Sequence, residues 1–294
     1  ILQRLVDTPR NFLYHFTTYE KKIFYLFVRY LFDSKLEDDE LLKELNEYLF
    51  LNQKSRLETS FMEGQNLQIH FKENTNLRMD ILYFMTCVLR RSNDHVKAID
   101  IIDQEEKLHG RIDTRLIHSR ALCYKSWYYH STVNGHEVPA GHLKQALDDF
   151  LKCEIEYAEI QKEGNQDILM GEIMSGISNS IIDTYTKLYL KDPEMYQPDI
   201  STGRQRLIEL KKTILLAAGA DYESYLAFGH TEIDLEYCEA LIAVKNNQPI
   251  VAREKIQEAN GRLERILQTK GFELYPAFSL SEDRIRRLAK RLLK

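Results

Sequence analysis

Apolar residues recur along this chain at spacings of three and four, the period of an α-helix, and no stretch sustains the alternation of a half-buried strand. The first helix is expected after Thr17, which with Glu20 three residues on makes a capping-box pattern, and its stripe runs Ile23, Phe24, Phe27, Leu31. A second begins near Glu37 with Leu41, Leu42, Leu45 and Leu49. The pattern continues more weakly from Leu51 to about Phe71, and Lys72 to Asn76 reads as a turn.

Beyond that turn the helices come in pairs joined by short polar signals, as in antiparallel helical hairpins. Leu77–Arg91 pairs with Asp94–Leu108 across Ser92-Asn93, and Asp113 to about Ser131 pairs with Gly141–Lys162 across a loop holding Asn134, Gly135 and Pro139. Asp167–Leu190 pairs with roughly Thr202–Ala218, and Tyr222–Lys245 with Pro249–Thr269, where Pro249 suits a first helical turn. Ser281–Lys294 is expected as a short last helix. No linker or low-complexity run separates the pairs, so residues 1–294 read as one domain: N-terminal helices over 1–76, four long hairpins over 77–270 and a C-terminal capping helix over 280–294.

Small residues mark how the pairs pack. Ala240 and Ala243 share a helix; Ala252 follows Ala240 by twelve residues, then Ile256 and Ala259. Small side chains at such points let two helices approach closely while the larger one fills the space to the next pair. This hairpin resembles the tetratricopeptide repeat. Partial copies are Thr86, Leu89, Ala98 and Ile102, with Glu105 at an expected small position, then Ala121, Tyr124, Ala146, Phe150 and Cys153, then Gly203, Leu207 and Leu210. Ala98, Ala146, Gly203 and Ala252 stand 48, 57 and 49 residues apart, against the family's ~34. The helices are therefore longer than the family's. The resemblance implies an all-α, right-handed α-solenoid of antiparallel hairpins, a tetratricopeptide-like superhelix.

Composition narrows the picture. Twelve Gly and six Pro in 294 residues leave little room for tight turns, and 44% apolar with 29% charged residues suits a folded chain. A net charge of −5 argues against nucleic acid as partner. The most apolar window, Ile23–Phe32, is half of what a bilayer span needs. Cys87, Cys123, Cys153 and Cys238 form no C-x-x-C pair, which fits a reduced, cytoplasmic chain. The chain opens on Ile1 with no signal-peptide pattern and reads as part of a longer protein.

Catalytic signatures are scarce. There is no phosphate loop, no G-x-S-x-G and no H-E-x-x-H. Ser175-Gly176 lies in an apolar helix, where the serine reads as a small packing residue, and Glu106 with His109 lacks the second copy that a di-iron bundle needs. His118, His130, His136 and His142 surround the long loop of the second pair without a helical i, i+4 couple, so they read as incidental. Tyr124, Trp127 and Tyr128 share a helix face and read as core between hairpins. The basic amphipathic end, with Arg284, Arg286, Arg287, Lys290, Arg291 and Lys294 around Ile285, Leu288 and Leu292, reads as a cap on a solenoid.

No catalytic residue, metal or cofactor is indicated. Stacked hairpins present a concave face for another polypeptide. If the first helix of each pair lines it, as the resemblance implies, the inward positions are Tyr83 and Arg90, His118 and Lys125, Asn179 and Asp183, Tyr237 and Lys245. Arg90, Lys125 and Lys245 would steer a peptide carrying carboxylates. Two other readings stand beside this scaffold: a partner-recognition module of a larger switch ATPase or regulator, and a metal-dependent enzyme using the histidine-rich loop.

Overall fold

The computed structural model describes residues 93–136, 139–162, 168–218, 226–268 and 277–293, with 79, 82, 83, 85–87, 89 and 90. The helices expected within residues 1–76 lie outside the described residues. Every element among the described residues is α-helical. Those between 79 and 90 are followed by α1 (His95–His109), α2 (Thr114–Val133), α3 (Ala140–Lys162), α4 (Ile168–Lys191), α5 (Gln197–Ala218), α6 (Leu226–Lys245), α7 (Pro249–Leu267) and α8 (Ala277–Leu292).

Local chemistry sets the ends. Asp94 caps α1 by accepting from the Lys97 backbone N–H, and the helix stops at Gly110, whose φ of 69° is left-handed and suits a residue without Cβ. Asn247, also left-handed at φ 57°, turns the chain before Pro249 opens α7. α5 starts five residues before its expected Thr202 because Pro198 sits in its first turn, where a missing N–H costs nothing.

The chain divides into two compact units, residues 1–126 with 155–173 and residues 127–154 with 174–294. In the first, Leu82, Met85, Ala98, Ile102, Leu116, Ile117 and Ala121 are buried. Arg120 on α2 donates to Asp103 at 2.7 Å and Glu106 at 2.5 Å on α1, and Thr114 donates to Glu156 on α3. Glu106 is thus engaged by Arg120, while His109 pairs with the buried Glu105 at 3.5 Å. The buried Thr86 and Ser119 hydroxyls share a 2.7 Å hydrogen bond.

In the second unit α6 is the centre. Ile182 and Tyr189 of α4, Ile200, Leu207 and Leu210 of α5, and Leu235 and Cys238 of α6 form one apolar cluster. Ile233 and Ala240 of α6 form another with Ile256, Ala259, Leu263 and Ile266 of α7 and Ile285 and Leu288 of α8. α8 thus buries its apolar stripe and turns Arg286, Arg287, Lys290 and Arg291 outward.

Charge pairs set the directions. Glu239 meets Arg204 and Lys255 while Glu232 meets Lys211 and Arg262, so α5 and α7 both run opposite to α6. Asp183 lies by His230, and the Cys238 thiol faces the Thr186 carbonyl, so α4 runs with α6. Arg286 reaches Glu264 and Leu292 accepts from Arg253, so α8 runs against α7.

Close approach of α6 and α7 rests on the small residues of the repeat-like pattern: Ala240, Ala252 and Ala259 are wholly buried. A Cβ on Gly229 would come within 2.6 Å of Ile266 Cδ1. Ala259→Leu should therefore overpack the seam and lower stability by about 1–3 kcal/mol. Urea unfolding followed by circular dichroism checks this, and an unshifted midpoint would mean the seam has slack.

Candidate functional site

A helix enclosed on all sides is ordinarily apolar, yet α6 carries His230, Thr231, Glu232, Asp234 and Glu236 through a stretch buried without a break from residue 229 to 236. Unpaired, these groups would cost several kcal/mol each. The fold answers with two clusters on two faces of α6.

The first surrounds Lys187 of α4. Its ammonium donates to Asp234 Oδ2 and lies 3.5 Å from Asp183 Oδ1. Asp234 also accepts from Ser281 of α8 at 2.6 Å and has His230 Nε2 at 3.5 Å; His230 Nε2 and Ser281 Oγ are 3.0 Å apart. Tyr129 of α2 donates to Asp183 Oδ2 at 2.5 Å and places its ring 5.4 Å below the ammonium, a cation–π contact. Burial alone would push Lys187 down, but Asp234 and Asp183 outweigh it and hold the ammonium above its ordinary range. Burial would likewise raise Asp234, and Lys187 and His230 bring it below the usual carboxylate value. Tyr129 is pushed well up by burial and by Asp183.

Asp183, His230 and Asp234 offer ligand atoms within 4.8 Å of one another, a grouping that could hold a metal ion. The Lys187 ammonium touches both carboxylates, so the positive charge a cation would bring is already supplied by the chain. The cluster is best described as an internal ion pair with hydrogen-bonded braces.

The second cluster is a stripe. Glu232, Glu236 and Glu239 stand at i, i+4 and i+7 on α6, and facing them are Arg204 and Lys211 of α5 and Lys255 and Arg262 of α7, each couple seven residues apart. Arg204 grips Glu239 with two 2.7 Å bonds. Lys211 donates to Glu232, and Arg262 reaches Glu236 at 2.9 Å and Glu232 at 3.2 Å. Burial pushes the Glu236 carboxyl up to about 7; Arg262 opposes this and the Glu232 charge adds to it.

The eight residues expected on a concave face divide by unit. In the first, Tyr83 is buried and Arg90, His118 and Lys125 are half-buried; in the second, Asn179 and Asp183 are buried, Tyr237 is half-buried and Lys245 is exposed. Asp183 belongs to the Lys187 cluster, and Tyr237 packs against the apolar cluster of α6, α7 and α8. Of the loop histidines, His142 stacks on Trp127 at 4.3 Å, and burial lowers its pKa. Tyr128 is buried as expected for core.

Sequence reasoning missed Lys187, His230, Asp234 and Ser281, which join only in three dimensions. The acidic stripe and its matching cation couples were visible as spacings. All four cysteines are buried thiols; burial pushes Cys123 up to about 12 and Cys238 well above its ordinary value, the opposite of a reactive thiolate. Among the described residues no helix is long and apolar enough to cross a membrane. No family model, curated protein or solved structure matches the chain.

Proposed function

We propose that this chain is a non-catalytic scaffold that binds a protein or peptide on the concave side of a right-handed, tetratricopeptide-like helical repeat. The observation that carries the reading is the alternation in the second unit: α4, α6 and α8 point one way and α5 and α7 the other. Stacked hairpins would alternate in this way, with α8 in the place of a further first helix that covers the last pair. It supports the reading that first helices line a common face, and polypeptide ligands are what such faces hold.

The ionisable groups fit the same role. The buried Lys187 ammonium is spent on Asp234 and Asp183, and the half-buried Arg204 on Glu239, which supports a fixed register for the stack as the role of these charges.

On this reading Arg90, Lys125 and Lys245 steer a partner carrying carboxylates, and Tyr83 and Tyr237 give flat contact area. The partner recovered by affinity capture, titrated calorimetrically, should bind a triple Ala variant of Arg90, Lys125 and Lys245 about tenfold more weakly than the parent, a loss of about 1.4 kcal/mol. Unchanged affinity removes these groove residues.

A further inference from the structure

The cations of the second unit sort into two populations. Lys187, Arg204, Lys211, Lys255 and Arg262 face the carboxylates of α4 and α6, and on α8 Arg286 and Arg287 are engaged by Glu282, Glu264 and Asp283. Among the described residues no carboxylate pairs with Lys290 of the same helix or with Lys245 of α6, and none pairs with Arg284 and Arg291. The two arginines stand at i and i+7, with the buried Leu288 between them on the same face. Both lie within electrostatic reach of the Tyr237 hydroxyl on α6, which packs against the apolar cluster that holds Leu288. Arg284 is half-buried and Arg291 exposed. Farther along α6, eight residues past Tyr237, Lys245 is exposed.

Two guanidinium groups seven residues apart on one helix face, neither met by a carboxylate among the described residues, make a local excess of positive charge in a chain whose net charge is −5, and two negative charges would balance it. Seven helical residues span about 10 Å. A polyproline-II segment repeats its facing every third residue, about 9 Å apart, so carboxylates at i and i+3 of such a segment meet both arginines at once. A lipid surface would call for a broad apolar flank, and the residue lining this face between the arginines, Leu288, is buried.

We propose that Arg284 and Arg291, with Tyr237 of α6 near both, form a two-point docking site for an extended polypeptide bearing two carboxylates three residues apart. This rests on the polypeptide-binding reading and locates one contact of it at the α6–α8 face. The arginines fork onto carboxylates with charge-assisted hydrogen bonds, and the tyrosine offers its ring to the peptide backbone and its hydroxyl as a donor.

The test is calorimetric titration of the full chain with the capped peptide Pro-Glu-Pro-Pro-Glu-Pro, its Gln counterpart, and Pro-Glu-Glu-Pro-Pro-Pro, which has equal charge at the wrong spacing. The first peptide should bind about tenfold more tightly than either of the others. Arg284→Ala and Arg291→Ala should each lose about tenfold, whereas Arg287→Ala, whose partner is Asp283, should bind as the parent does. Raising salt from about 0.05 to about 0.5 M should weaken the parent's binding, a readout that needs no variant to fold. The proposal is overturned by no binding of the first peptide at millimolar concentration, by equal binding of the Gln peptide, by a loss in Arg287→Ala matching the others, by salt independence, or by tighter binding of oligouridylate or phosphatidylserine vesicles. A captured partner that ignores Arg284→Ala and Arg291→Ala but weakens in the Arg90, Lys125 and Lys245 variant sinks this site alone and leaves the scaffold reading standing.

Discussion

Lys187→Met should destabilise the protein by about 3–5 kcal/mol, because it removes one partner of a buried charge cluster and leaves the others uncompensated. Asp183 and Asp234 are 2% and 1% exposed, so neither can turn to water without opening the packing of α4 on α6. The same replacement in a background with Asp183→Asn and Asp234→Leu should recover most of the loss, since replacing a whole buried ionic group by neutral side chains is often near neutral. Urea midpoints of the three proteins measure this. A single variant within about 1 kcal/mol of the parent would show that the two carboxylates find other cations or water, and the cluster would lose its place as the brace of the second unit. With Tyr129, Ser281 and His230 tied to the same carboxylates, the loss should also loosen α8 and speed amide exchange in α6.

How much of this was legible in the chain depends on whether a feature is local. Helix type, the start of α1 within a residue of Asp94, Pro249 at the head of α7 and the small-residue seam of Ala240, Ala252 and Ala259 follow from spacings of a few residues, and the structure places each accordingly. The basic last helix is similar: its stripe predicts which side is covered, and Ile285 and Leu288 are covered. The helix starts at Ala277, four residues before the expected Ser281, since nothing in the sequence at Ala277 announces a cap. Ser175, read as a small packing residue, is only half-buried, and a Cβ on Gly176 beside it meets nothing within 4 Å, whereas at Gly203 it would touch Leu235 at 3.4 Å. The Lys187 cluster joins side chains from four helices, separated by up to 152 positions between Tyr129 and Ser281, and no periodicity encodes that. Asp183 illustrates the difference: its helical position was read as facing a groove, and its actual neighbour is decided by Lys187 one turn on and Asp234 on another helix.

Glu236 supplies the second large effect, and its sign follows from its surroundings. Its neighbours are Arg262 of α7, Arg204 of α5 and Glu232 on its own helix, and burial outweighs the two cations, leaving its pKa at about 7 against an ordinary 4.5. Between those values the folded protein holds a proton that the unfolded chain has released, so stability falls as pH rises from about 4.5 to about 7 and stays lower above that. The shift corresponds to about 3 kcal/mol. Glu236→Gln keeps an acceptor for Arg262 and cannot ionise, so it should match the parent near pH 5 and exceed it near pH 8. Asp234 moves the other way: its lowered pKa contributes stability that disappears only as pH drops below its ordinary value of 3.8, outside this window. Urea midpoints of parent and variant at pH 5 and pH 8 separate the two groups. Parallel pH profiles would mean that Glu236 is ionised in the fold, held by Arg262 and Arg204 more strongly than burial opposes it. A gap that opens between about pH 4.5 and 7 and stays open at pH 8 would instead place a proton on the acidic stripe near neutral pH, where it relieves the repulsion between Glu232 and Glu236 and lets α6 sit enclosed between α5 and α7.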